Sequence, residues 1–523
     1  MLDPTRATVD RHGGLRLDLP LAEVDIGEAV DLLDVDWHQG VLGSREGAKA
    51  FTPGAGASHY DRMFGPTTGG RETAILIGRR GKTLVAFSAS DGKEIAGKSI
   101  AVSEDLLSFT RFGIPSGGFF IPVTYIADGA SIKKFAGNVP AACEFSSPTA
   151  TVDGVAGKAM PKGWYLANWK GQGNRLVVAG TAPEAEEGGP GGALSSPSHV
   201  WFSEPGQPES FSSTSYVALG PGEDEDITGC CVWNNQVFVF KETCLFVFWG
   251  VSADGEGNPI FNFKEVDLGT RMLSHRGIAN SKKVQRVAAG REGVYFVTND
   301  GVFVTTGGEP TCLSSALRPL GESRALNGPA EETLPAETAR WRYAWQIEFL
   351  GDSLYVLMPG RLLKLDLETM RWMVWSAAAN NITPWVEQVA LFDNVPRMYL
   401  SAAEGEEKIY LYTPDKDEDP TVEMDPRWQS GAYDLADVDE KTLTNTKVWG
   451  SGEVEVKVAE DFGPLGDGTT FKLGEGAAIA QQQKQKGQTA TLFSHRLSGA
   501  APWSVQRLSR YLRETRVPAT QKQ

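Results

Sequence analysis

The stretch Ile227–Gly250, ITGCCVWNNQVFVFKETCLFVFWG, decides the fold. Val232 and Trp233 lead into Asn234-Asn235, a tight-turn pair because asparagine tolerates a positive φ. Val237 to Phe240 forms a strand, Lys241-Glu242-Thr243 a polar turn, and Leu245 to Trp249 the next strand. Aromatic and β-branched residues fill both runs, and no charge interrupts either. Strands of this kind are buried on both faces. The same strand–turn–strand pattern recurs along most of the chain, the signature of a radial β-repeat.

Upstream, Ala74–Ser88 is a hairpin around Arg80-Gly81, and Asp91-Gly92 is the next turn. A second unit covers Gly118–Phe135. A third runs from Gly163–Gly180 to His199–Glu204, with Thr181–Ser198 between its strands. That insert is acidic and rich in Gly and Pro, so it reads as a long exposed loop, a first point of proteolysis. The opening stretch is the fourth unit. The fifth is Gln285–Pro310, with Asn299-Asp300-Gly301 as its turn; the sixth is Arg342–Ser376 and the seventh Trp385–Pro414. A spacing of about 40–60 residues matches a β-propeller of about seven four-stranded blades. Closing such a ring removes exposed strand edges.

The ends differ in composition. Residues 1–55 read as an N-terminal strand and arm: Leu15, Leu17 and Leu19 alternate, and a polar segment follows with apolar anchors from Val24 to Trp37. The propeller is expected over 56–414. Residues 415–426 form an acidic linker, punctuated by Pro420 and Pro426. Residues 427–523 read as a small C-terminal β-sandwich with a basic tail. Its strand Val454–Val458 alternates strictly, so one face is solvated. Trp503–Arg516 is ambiguous between helix and strand.

The chain of 523 residues carries Lys+Arg 50 against Asp+Glu 66, a net charge of −16. This balance argues against direct nucleic-acid binding, which needs a basic face. At 41% hydrophobic and 22% charged, the chain buries substantial cores. Cys143, Cys230, Cys231, Cys244 and Cys312 lie in or beside apolar runs without a CxxC pair, so they read as buried thiols from a reducing cytosol. The first residues, MLDPTRATVDRHGG, hold no signal-peptide core, and no run reaches the roughly 18 apolar residues of a membrane span.

Two ordered sets of motifs resemble tail proteins of tailed bacteriophages. Near the start stand Gly13-Gly14-Leu15, Gly27-Glu28-Ala29, Asp34-Val35-Asp36, Gly40-Val41-Leu42 and Arg45-Glu46-Gly47. In the middle stand Asn174-Arg175-Leu176, the run Ser203 to Phe211, Ile227-Thr228-Gly229 and Val239-Phe240-Lys241-Glu242. Gly293-Val294-Tyr295-Phe296, Asp300-Gly301-Val302, Leu313-Ser314, Asp366-Leu367 and Arg371-Trp372 continue the order. The resemblance covers roughly residues 10–510. It implies a structural virion protein at the tail tip or nozzle, present in multiple copies beside other tail proteins and made in the host cytoplasm. Two other readings stand beside it: a receptor- or carbohydrate-binding tail component that meets a host surface glycan, and a propeller glycoside hydrolase.

The residues show no catalytic constellation. His12, His38, His59, His199, His275 and His495 fall at no metal-ligand spacing. No GxSxG elbow or Walker A motif occurs. Ser252-Ala253-Asp254-Gly255 and Ser90-Asp91-Gly92 match an Asp-box turn only in part. Asp415–Asp419 lacks the glycine and distal glutamate of a calcium loop, and Glu223–Asp226 reads as an acidic loop. No enzyme activity, cofactor or metal is therefore expected. Trp164, Trp169, Trp201, Trp233 and Trp249 suit blade packing better than a sugar platform. The candidate subunit interface is Arg507, Arg510, Arg513 and Arg516, which on a helix would make one stripe able to pair with an acidic neighbour.

Overall fold

The computed structural model describes residues 5–514 except for 10–13, 15, 17–23, 25–27, 39–40, 46, 51–61, 65–74, 89–92, 103–107, 117–118, 138–141, 181–197, 221–224, 273–285, 318–345, 359, 378, 391–392, 403–408, 414–423, 425, 431–440, 461–464, 467, 474–478, 491–492 and 500–501. The expected exposed loop at 181–197, most of the acidic linker, and Arg516 lie outside the described residues. Those described are all-β, with no α-helix among them.

Among the described residues, seven four-stranded sheets follow one another in the chain. Sheet 1 holds Arg62–Phe64, Ile75–Arg80, Thr83–Ser88 and Glu94–Ala101, and sheet 2 holds Ser108–Ser116, Phe119–Ala127, Ile132–Ala136 and Glu144–Ser146. Sheet 3 holds Tyr165–Trp169, Arg175–Ala179, His199–Phe202 and Tyr216–Ala218; sheet 4 holds Gly229–Trp233, Gln236–Phe240, Cys244–Ala253 and Pro259–Asp267. Sheet 5 holds Val287–Ala289, Val294–Thr298, Gly301–Thr305 and Thr311–Cys312; sheet 6 holds Gln346–Leu350, Ser353–Met358, Arg361–Asp366 and Arg371–Ser376. Sheet 7 combines Ala379–Ala390, Asp393–Ala402 and Ile409–Thr413 with Gly47–Ala50 from the other end of the chain.

The first strands of sheets 2 to 7 pack one beside the next, and that of sheet 7 packs against that of sheet 1. Sheets 1 and 2 meet through their last strands, so the contacts make a closed circuit. The cores explain why the strands carry apolar residues on both faces. One cluster joins sheets 1 and 2, another sheets 2 and 3, and a third sheets 3 and 4, where Phe202 stacks on Phe261 at 4.0 Å. Further clusters join sheets 4 and 5 and sheets 6 and 7. Asn234 and Asn235 take φ values of 46° and 60°, the left-handed turn their sequence called for. Trp169 in sheet 3 donates from Nε1 to the Asn235 carbonyl at 2.7 Å, pinning that turn to its neighbour.

A ten-stranded sheet joins the two ends of the chain. Its spine is Lys441–Glu460, a strand of 20 residues. Trp503–Glu514 pairs along its first half, and Phe493–Ser498 along its second. The N-terminal strands are woven in. Ala29–Leu33 pairs with Arg427–Ser430, Thr5–Val9 with the 503–514 strand, and Val41–Ser44 with that same strand. Strand pairing therefore crosses the expected divisions at residues 55 and 426.

The spine and the 503–514 strand approach closely at Gly450. A Cβ there would stand 1.9 Å from the Ser504 carbonyl oxygen, which is backbone and cannot swing aside. Gly450→Ala should therefore push the strands apart and lower stability by about 1–3 kcal/mol. Urea unfolding reads this directly, and an unchanged midpoint would show that the strands do not meet there.

Candidate functional site

Five N-terminal residues bring the chain's ends and sheet 6 together. Asp31, Asp34 and Asp36 are buried on the run Ala29–His38. Each carboxylate has a cationic partner from a distant strand or turn. Asp34 Oδ1 accepts from Arg45 Nε at 2.9 Å, and both side chains are 0% exposed. The same oxygen accepts the Ser376 amide of sheet 6 at 2.7 Å, while Arg45 Nη2 donates to the Ser376 carbonyl at 3.1 Å. Asp34 holds φ at 50°, a left-handed conformation that aspartate tolerates better than most residues. Asp36 accepts from Lys364 Nζ of sheet 6 at 2.6 Å. Asp31 Oδ2 accepts from Arg427 Nε at 3.0 Å and also pairs with Arg496.

Trp375 closes the seam. Its Nε1 donates to the Val35 carbonyl at 3.1 Å, with Arg45 at 5.7 Å and Lys364 at 5.2 Å over its ring. Gly14 belongs to the same joint. Its carbonyl accepts the Ala29 amide at 3.0 Å, and a Cβ on it would meet Trp372 N at 2.8 Å. Asp34-Val35-Asp36, Arg45 and Gly14 thus have a shared physical meaning: they bind the N-terminal segment to sheet 6 and the C-terminal sheet. Nothing in the local sequence pairs Asp31 with Arg427 or Arg496, because the partners lie hundreds of residues away.

Of the four candidate arginines, Arg516 lies outside the described residues and Arg507, Arg510 and Arg513 fall on one strand. Trp503–Glu514 is a strand, so the helical stripe does not form. Arg507 packs over Trp449 at 5.2 Å, beside Lys447 at 4.7 Å from the same ring. Leu508 is buried.

The remaining candidates are dispersed. Trp164, Trp169 and Trp201 are buried, Trp233 is half-buried, and Trp249 is exposed, so the five make no common platform. His495 is buried with Nδ1 3.1 Å from Ser430 Oγ, and His199 packs beside Tyr216. Among the described residues no group of three or more His, Cys, Asp or Glu is placed to hold a metal ion. Asp254 of the partial Asp-box orders its own turn, accepting the amides of Glu256 at 2.9 Å and Asn258 at 2.8 Å. Glu225 accepts from Thr243 Oγ1 at 2.8 Å. The stretches 89–92, 223–224 and 415–419 lie outside the described residues, as do His12, His59 and His275. No helix among the described residues is long and apolar enough to cross a membrane.

All five cysteines are free thiols. Burial pushes Cys230 up to about 12 and Cys231 well above the ordinary thiol range. Cys244 is also pushed up to about 12, by burial first and then by Glu265. A raised pKa leaves little thiolate at pH 8, and the thiolate is the nucleophile. Iodoacetamide at pH 8 should therefore leave these three unmodified in the native protein and label them readily in urea. Native labelling at the unfolded rate would contradict the raised pKa of these thiols.

No family model matches the chain. No curated protein matches it either. Among solved structures it is similar to the WD40 domain of Pan2 from Neurospora crassa, at 8% identity and a TM-score of 0.34, over 71% of this chain and 94% of that one. It is also similar to the exo-β-1,3-galactanase of Phanerochaete chrysosporium, at 7% identity and a TM-score of 0.28, over 79% of this chain and 96% of that one. Likenesses this distant assign no activity.

Proposed function

We propose that this chain is a structural component of a bacteriophage tail, at the tip or nozzle, and works by assembly rather than turnover. In this reading the seven sheets are the blades of a β-propeller, and the ten-stranded sheet folds into a β-sandwich around its shared spine. One observation carries the proposal. Residues that give the N-terminal segment its likeness to tail proteins, Gly14, Asp34-Val35-Asp36 and Arg45, are those that tie both chain ends to sheet 6. A buried charge seam of this kind suits a part that holds its shape under load from neighbouring subunits.

The proposed contact with a neighbour is the C-terminal basic strand, where Arg507 lies over Trp449. Arginine pairs bidentately with carboxylates, so an acidic face on another tail subunit fits it. The test uses tailed particles assembled in the host. Antibody to this protein should decorate one position on the tail. Arg507→Glu combined with Arg513→Glu should block incorporation while the isolated protein keeps its wild-type circular dichroism. Infectious particles that lack the protein would sink the tail assignment, and normal incorporation of the double variant would sink the docking face.

A further inference from the structure

A polar groove of about 560 Å³ lies between sheet 3 and the hairpin turn of sheet 4. One wall holds Gln172, Arg175, Glu204 and Pro205; the other holds Ser252 and Asn258. Arg175 is 8% exposed. Its Nη1 donates to the Ser203 carbonyl at 2.6 Å, and Nε has no hydrogen-bond partner. Burial lowers its pKa from the ordinary arginine range, and Glu204 acts in the opposite sense. A guanidinium has five N–H donors, and leaving buried ones unused is costly. Nε lies buried out of reach of the groove, so Nη2 is the donor left to meet an anionic ligand there, through one charge-assisted hydrogen bond.

The opposite wall is held in place. Asp254 Oδ1 takes the Asn258 amide and Oδ2 takes its Nδ2 at 3.0 Å, which fixes the Asn258 side chain at the rim. Glu204 beside Arg175 disfavours a bare anion and favours a ligand that also brings a hydroxyl donor. The polar groups of Gln172, Ser252 and Asn258 suit further hydroxyls, and Pro205 offers an apolar face to sugar C–H groups. The volume lies within the range of small-ligand sites, about 300–1,000 Å³. We infer that this groove binds a sugar residue bearing a carboxylate, with Arg175 on the carboxylate and Glu204 accepting from a hydroxyl. The inference stands apart from the tail assignment and holds for any role of the ring.

The experiment is titration calorimetry of the full chain with digalacturonate, glucuronate and N-acetylneuraminate, against the methyl ester of digalacturonate and against acetate. At least one acidic sugar should bind saturably, with its ester weaker by about tenfold or more and acetate failing to compete at equal concentration. Ser252→Trp fills the groove from an exposed position and leaves Arg175 in place, so it should weaken binding by about tenfold without unfolding the protein. Arg175→Met should do the same, because methionine offers no donor to the groove. Binding by none of the three acids, equal binding of the ester, or binding indifferent to Ser252→Trp would each overturn the proposal.

Discussion

Deleting residues 1–50 should leave a chain that no longer unfolds cooperatively and is recovered as aggregate. The segment contributes Leu32, Leu33, Val35 and Leu42, each at most 4% exposed, to the core cluster shared by sheets 5 and 6 and the ten-stranded sheet. At about 1.5–3 kcal/mol for each buried side chain, these four alone represent roughly 6–12 kcal/mol. Whole domains are stable by only about 5–15 kcal/mol. The deletion also removes Asp31 from Arg427 and Arg496, and Asp36 from Lys364. It further uncovers the edges of 409–413 in sheet 7 and 427–430 in the ten-stranded sheet, and open edges recruit other chains. Size-exclusion chromatography and urea unfolding check this. A soluble monomer with the wild-type midpoint would contradict it.

The second large effect is at the Asp34–Arg45 pair. Asp34→Asn keeps the left-handed backbone accessible, since asparagine tolerates φ near 50°. It removes the anion and so takes the Asp34 carboxylate charge from the Arg45 guanidinium, 0% exposed. Breaking a buried pair from one side costs about 3–5 kcal/mol. Arg45→Met breaks it from the other side at similar cost. Replacing both partners removes both buried charges, so Asp34→Asn with Arg45→Met should cost much less than the sum of the single changes. Denaturant unfolding of the four proteins in the cycle gives the coupling. Additive losses would mean that the two groups do not act as a pair.

How far the sequence carried the fold differs from place to place. Local hairpins were legible because their signals are local: Asn234-Asn235 and Arg80-Gly81 sit at turns between apolar strands, and both turns form with positive φ at Asn234, Asn235 and Gly81. Val454, Val456 and Val458 are buried while Glu455 and Lys457 are half-exposed, as their alternation indicates. The 503–514 strand was harder. Trp449 pairs with Arg507 and Gly450 with Val505, so Gln506 is an extra residue. That irregularity moves burial from Trp503 and Val505 to Leu508, which breaks the two-residue period and imitates a helical one. Long-range pairing was not legible at all. Gly47–Ala50 gives no sign that its partner is Ile409–Thr413, and Asp31 none that it meets Arg427. The groove is not legible for a related reason: Arg175 stands in the Asn174-Arg175-Leu176 motif, and only folding places Ser252 and Asn258 across from it.

The central claim is that the N-terminal segment locks the ring of sheets and the C-terminal sheet into one cooperative unit. Native-state hydrogen exchange tests it most directly, because amides in one unit exchange through one opening. The amides of Ala29–Leu33 and Gly47–Ala50 should exchange only with global unfolding, at the free energy measured for Gln236–Phe240 in sheet 4. Exchange of those two N-terminal strands at a far lower free energy, with sheet 4 still protected, would contradict the account.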